Sequence, residues 1–188
     1  MHSSTSVEKK FLILNHTFFG VTSDQKKTNY YQMKYARLSK EQFEELHQEF
    51  INFLATQSIT AEEWKDIKAN KPEVADQELD VFSDLVWEGV LTKAEYLENI
   101  SPQHMYLFYL GETMIELVGL KLNTTDIDLT TREGFSWLRE NLLSDAVEIF
   151  NAKKEYSKDK QLDKFALIQQ GSVITKGDLF TYFDKLIH

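Results

Sequence analysis

The chain has 188 residues, a net charge of −9, 42% hydrophobic residues and 13% aromatics, enough apolar material for one domain with a real core. It holds no cysteine, which excludes disulfides, thiolate zinc sites, iron–sulfur clusters and cysteine nucleophiles. No apolar run approaches the roughly 20 residues that cross a bilayer, so no membrane contact is expected.

Residues 1–32 differ from the rest of the chain. They carry Ser/Thr clusters, two Lys pairs and one apolar stretch, Phe11 to Val21, broken by Asn15, His16 and Thr17. That break, and the lack of a small-residue cleavage site, argue against a signal peptide and for a cytoplasmic protein. Four lysines against two acids give this stretch a charge of +2, leaving −11 on the remainder. Such a body repels phosphate backbones, so no nucleic acid is expected and a basic protein partner is favoured. Residues 1–32 are read as a poorly ordered extension, and 33–188 as a single globular domain starting at Met33. The alternative is that Phe11 to Leu14 adds an edge strand.

Helix starts are marked by three capping boxes, Ser39-x-x-Gln42, Thr60-x-x-Glu63 and Thr130-x-x-Glu133, in which side chains satisfy first-turn amides. The first helix is predicted over Lys40 to Gln57, with Phe43, Leu46, Phe50, Phe53 and Leu54 as its apolar stripe. A short helix follows over Ala61 to Ala69. Pro72 suits the first position of a third helix reaching at least Leu91.

Beyond Ser101-Pro102 the period changes to that of strands over Met105 to Leu110 and Thr113 to Leu122. Gly111-Glu112 fits a two-residue type II′ turn, which sets Tyr109 opposite Met114 and Leu107 opposite Glu116. Gly119 is expected to mark a bulge. A lone hairpin is marginal, so a third strand is sought in Tyr35 to Leu38 or Ser172 to Ile174. A fourth helix after Thr130 is expected to present Phe135, Leu138, Leu142, Ala146, Ile149 and Phe150. Lys158 to Gln170 is expected as a fifth, or as a continuation of the fourth, stopped by Gly171, and Thr175 with Asp178 opens a last one through Leu179, Phe183 and Leu186. The fold class is α+β, helix-dominated, around a small antiparallel sheet built on a hairpin near 105–122.

Met33-Lys34-Tyr35, Glu49-Phe50-Ile51-Asn52-Phe53-Leu54, Ile59-Thr60-Ala61-Glu62-Glu63-Trp64 and Phe82-Ser83-Asp84-Leu85-Val86 resemble a family of small acidic bacterial proteins known only as a domain of unknown function. The resemblance runs from Met33 to the C-terminus. It implies a bacterial cytoplasmic setting and brings no activity, cofactor or site residue with it.

Chemistry-bearing patterns are few. Glu44-x-x-His47 has the spacing of half a di-iron carboxylate site, but no second Glu-x-x-His exists, so His47 reads as a helix-flank histidine. No phosphate loop, nucleophile elbow or zincin motif occurs, and no cofactor, metal or catalytic residue is assigned. Asp126 and Asp128 alternate as two acids on one strand face. Glu116 shares a face with Met114 and Val118, where covering would raise its pKa.

The third helix is the informative stretch. Val74, Leu79, Val81, Phe82, Leu85, Val86 and Val90 form one half of its wheel. Asp76, Asp80, Asp84 and Glu88 recur at every fourth position on the other half, a spacing at which like charges repel. Trp87 and Leu91 fall inside that acidic arc, and Trp137 lies off the stripe of the fourth helix, beside Glu133, Asn141 and Glu148. Either Trp87 and Leu91 pack under another element, or Asp76, Asp80, Asp84, Trp87, Glu88 and Leu91 form an acidic, Trp-anchored surface for a basic partner, or the ladder holds a divalent metal. The leading expectation is a non-enzymatic interaction or regulatory module. The rivals are a carboxylate enzyme using Glu116 or Asp126/Asp128, with Mg²⁺ as a further option, and an acidic mimic of nucleic acid.

Overall fold

The structure, a computed structural model, describes residues 31–187. The expectations for Phe11 to Leu14, and for residues 1–30 generally, lie outside that range. The chain divides after Gly89 into two compact units. No helix among the described residues is long and apolar enough to cross a membrane.

The described part of the first unit opens with an irregular stretch, Tyr31 to Leu38, and continues in helices α1 (Lys40–Glu45), α2 (His47–Thr56), α3 (Ala61–Asn70) and most of α4 (Pro72–Lys93). Ser39 and Thr60 both complete their capping boxes. The single helix expected over Lys40 to Gln57 is interrupted at Leu46, whose ψ of 21° leaves the helical basin. The stripe survives, because Leu46 still exchanges helix-type bonds with Gln42 and Phe50. Phe43 and Phe50 pack edge to face at 5.7 Å. Phe50 also meets Trp64 at 5.4 Å and Phe82 at 5.1 Å, so aromatic contacts tie α1, α2, α3 and α4 together. Phe82 is 2% exposed at the centre of that cluster, whereas Leu85, expected on the same apolar face, is only half-buried.

The second unit is a five-stranded antiparallel sheet in the order β4-β3-β2-β1-β5, with α5 (Arg132–Asn141), α6 (Lys160–Gln169) and α7 (Asp178–Ile187). Its strands are β1 (Tyr96–Ser101), β2 (His104–Leu110), β3 (Met114–Leu122), β4 (Val147–Glu155) and β5 (Val173–Thr175). The molecule is therefore α+β with helices dominant. Met105, Leu107, Val118 and Leu120 on one sheet face pack with Leu138 of α5 and with Phe180 and Phe183 of α7. Leu97, Leu110 and Ile115 on the other face meet Leu167 and Ile168 of α6.

The structure corrects several expectations. Val147 to Glu155 is an edge strand rather than the end of a helix, and Ile149 and Phe150 belong to β4. Helix α5 is capped by Thr131, whose side chain accepts from Gly134, so the Thr130 box does not form. Trp137 packs against the main core cluster. Ser172 to Ile174 reaches the sheet, but beside β1 and not the hairpin, and Tyr35 to Leu38 is not a strand.

The hairpin pairs Leu110 with Ile115 and Tyr109 with Glu116, two residues out from the expected register. A shift of two preserves which side chains share a face. Gly111 lacks the positive φ that a type II′ turn requires, since among the described glycines only Gly171 and Gly177 have it. The four-residue connection is held instead by Lys160, whose Nζ donates to the Gly111 and Glu112 carbonyls at 2.8 and 2.9 Å. Gly119 is no bulge: pairing runs through it on both sides. It makes room for the Phe150 ring, whose nearest atom would lie 2.3 Å from an added Cβ.

Lys164 is 2% exposed, and its Nζ donates to the Leu91 and Ala94 carbonyls, each at 2.7 Å. It thus satisfies carbonyls at the C-terminal end of α4. Burial depresses its pKa, and neighbouring Lys160 adds to the effect.

Candidate functional site

The acidic edge of α4 is occupied by its own chain. Residues 31–38 form neither helix nor strand, so their backbone groups must find partners elsewhere. Asp84 supplies two of them: its carboxylate accepts the Lys34 amide at 2.5 Å and the Tyr35 amide at 2.9 Å, and also the Tyr31 hydroxyl at 2.6 Å. Ser83, fully buried, accepts the Leu38 amide at 3.1 Å while donating to the Leu79 carbonyl. The Trp87 indole donates from Nε1 to the Ala36 carbonyl at 3.0 Å.

Side-chain charges complete the clasp. Arg37 places Nε 2.6 Å from Asp80 and Nη1 2.9 Å from Asp76. The Lys34 ammonium lies 3.1 Å from Glu88, which also accepts from the Tyr35 hydroxyl. Each carboxylate of the ladder thus faces a donor, which removes the mutual repulsion expected from their spacing. Burial, reinforced by the bond to Glu88, pushes the Tyr35 pKa up to about 12. Burial and the bond to Asp84 raise that of Tyr31 as well. Bonding to Asp80 raises that of Arg37.

The six predicted surface residues therefore separate. Asp84 and Leu91 are buried, at 7% and 0% exposure, and Trp87 is half-buried under its own chain. Asp76, Asp80 and Glu88 keep part of their side chains in solvent. Of the six, Asp76, Asp80, Asp84, Trp87 and Glu88 are brought together by the 31–38 segment. Leu91 lies in the second unit, where its carbonyl serves Lys164. Sequence reasoning missed Lys34, Arg37 and Tyr31. The signal was the run of two cations three apart amid tyrosines, complementary to acids four apart. Tyr31 falls within the stretch read as an extension, yet it bonds Asp84 directly.

A separate cavity of about 310 Å³ opens in the second unit. Its floor is a row of side chains in register across adjacent strands: Tyr96 of β1, Tyr109 of β2 and Glu116 of β3. Glu116 in turn pairs with Lys153 of β4, whose ammonium lies 2.9 Å from Oε2. Phe180, Thr181, Asp184 and Lys185 of α7 form the wall. The Tyr96, Tyr109 and Phe180 rings lie 5.2 to 5.9 Å apart. Gly177, with φ of +78°, lets the Tyr96 ring lie against its Cα, where a Cβ would come within 2.3 Å of that ring.

The other carboxylates do not converge. Asp126 and Asp128 lie in an irregular stretch and not on a strand. Asp128 accepts from the Thr130 amide and hydroxyl, which holds its pKa below the usual value. Glu44 is exposed beside Lys40, at 3.8 Å. Among the described residues no group of three or more His, Asp or Glu side chains is arranged to hold a metal.

No curated protein and no solved structure matches the chain. The chain belongs to a family of unknown function (DUF6495), whose model matches residues 33–188.

Proposed function

We propose that this member of the family is a non-enzymatic interaction module of the bacterial cytoplasm, and that the acidic edge of α4 recognises a bent basic protein segment bearing tyrosines. One observation carries the reading. Asp84 receives two successive main-chain amides, while Asp76, Asp80 and Glu88 receive the flanking Arg37 and Lys34. Two successive amides aimed at one carboxylate require a bend, as at Lys34–Tyr35, so the edge suits a bent segment with a cation on either side, and Trp87 supplies an aromatic wall. In the free chain the residues from Tyr31 to Leu38 fill this edge. A partner must displace them, so its apparent affinity is lowered by the fraction of molecules in which the edge is open.

The test is a labelled peptide with the sequence of residues 31–38, titrated into the full chain and into a Lys34→Glu/Arg37→Glu variant. The variant weakens the resident segment and should bind the peptide at least about tenfold more tightly than the unaltered chain, with affinity falling as salt rises. A variant that melts cooperatively yet takes up no peptide would sink the proposal.

A second reading, an enzyme working through carboxylates, draws on Glu116 and Asp184 facing one cavity. Asp126 and Asp128 lie outside it.

A further inference from the structure

We propose that the cavity beneath α7 binds a small organic ammonium with a flat or apolar body. Three independent features of the site converge on that class of ligand. The first is the aromatic trio, Tyr96, Tyr109 and Phe180, which lines the cavity with ring centroids 5.2 to 5.9 Å apart. Such rings present an apolar surface with a negative face, which attracts a cation as well as a hydrocarbon body. Among the described residues the Tyr96 and Tyr109 hydroxyls donate to no protein group.

The second feature is Glu116. It stands next to Tyr109 in the cross-strand row, and its Oε2 already holds one ammonium, that of Lys153, at 2.9 Å. Its second oxygen, Oε1, accepts no bond among the described residues. A ligand ammonium can therefore dock on Oε1 without displacing Lys153, or on Oε2 in its place, since the Lys153 side chain is 61% exposed. Asp184, one turn beyond Phe180 on α7, adds a second carboxylate to the lining.

The third feature is the backbone that builds the site. Gly177 adopts φ of +78°, and any Cβ there would strike the Tyr96 ring at 2.3 to 2.6 Å. The turn between β5 and α7 is thus shaped around that ring. A volume of about 310 Å³ sits at the small end of ligand pockets, a size suited to a single-ring amine.

The test uses the full chain and two probes of one shape and opposite charge, phenethylamine and phenylacetate. Titration is followed by calorimetry and by the ring proton resonances of Tyr96, Tyr109 and Phe180. The expected result is saturable phenethylamine binding that shifts those rings, phenylacetate weaker by at least about tenfold, and a similar loss in Glu116→Gln with its melting temperature retained. Should Glu116→Gln fail to fold, the comparison of the two probes on the unaltered chain still decides. Absence of saturable phenethylamine binding, equal binding of phenylacetate, unchanged affinity in a folded Glu116→Gln, or shifts confined to other residues would each overturn the proposal.

Discussion

The Asp84 carboxylate meets the Tyr35 amide at 2.9 Å across 49 positions of sequence. Its other oxygen takes the preceding amide, that of Lys34. A single buried side chain thus replaces the backbone partners that an irregular segment lacks. The acidic ladder of α4 follows from this need, with Asp84 at its centre and the remaining carboxylates matched to cations of the same segment.

Asp84→Ala should therefore be among the most damaging substitutions in the first unit. It strands the buried Tyr35 amide together with the part-buried Lys34 amide and Tyr31 hydroxyl, and a buried donor left unsatisfied costs about 1–3 kcal/mol, a part-buried one less. A total near 3 kcal/mol is expected from urea denaturation, after partial rescue by water. Asp76→Ala, at the exposed end of the ladder, should change stability by less than about 0.5 kcal/mol. Equal effects from the two would show that the ladder acts by net charge and not by its bonds.

Two glycines in the second unit separate yielding from unyielding neighbours. A Cβ on Gly134 would lie 1.8 Å from the Asp128 carbonyl oxygen, whereas one on Gly119 would meet the Phe150 ring. Backbone cannot retreat, but a ring on an edge strand can swing into solvent. Gly134→Ala is expected to cost upwards of about 3 kcal/mol, against about 1 kcal/mol for Gly119→Ala. Thermal melts of the two variants make the comparison. Combining Gly119→Ala with Phe150→Ala should make the Gly119 substitution nearly neutral, because the clash is then gone.

What could be read in the sequence was local. Ser39, Thr60 and Pro72 mark helix starts through chemistry within four residues, and Tyr109 and Glu116 fall on the correct sheet face because strand parity survives a register slip of two. What escaped depends on distant partners. The turn at Gly111 is shaped by Lys160, nearly fifty residues on. Ile149 and Phe150 fit a helical stripe and a strand edge equally well, a known ambiguity of short apolar runs. The ladder of α4 was visible as an anomaly, but Lys34 and Arg37, which explain it, lie about forty to fifty residues upstream in a stretch without period. The cavity had still less signal, because the Tyr96 to Lys153 row draws one residue from each of four strands.

The Tyr35 hydroxyl gives the clasp an alkaline limit. Its pKa is raised from 10.0 to about 12 by burial and by its bond to Glu88. The folded state therefore keeps the phenol proton to a higher pH than the unfolded chain does. That contribution is fully present below pH 10.0 and is lost as the pH rises to about 12. Tyr35→Phe removes the bond and the titration together. At neutral pH it should cost about 1–2 kcal/mol, and the gap to the unaltered chain should narrow steadily over that alkaline window. A gap that stays constant with pH would show that the Tyr35 ring, and not its hydroxyl, supplies the stability.

Trp87 decides whether the segment 31–38 is firmly part of the first unit. An exposed anchor awaiting a partner would be silent in a melt, since exposed substitutions usually stay within about 0.5 kcal/mol. The indole is instead half-buried, with Nε1 bonded to the Ala36 carbonyl. Trp87→Ala removes ring packing and strands that carbonyl, so a loss of about 2–3 kcal/mol is expected, below the full cost of a completely buried Trp. Trp87→Phe restores most of the packing without the donor and should lose about 1 kcal/mol. Hydrogen exchange adds a local readout: in Trp87→Ala the Tyr35 and Leu38 amides, bonded to Asp84 and Ser83, should exchange faster, while amides of the sheet keep their protection. If Trp87→Ala neither shifts the melt nor speeds those two amides, the segment is held by Asp84 and the charges alone, and Trp87 is then available to a partner while the clasp stays shut.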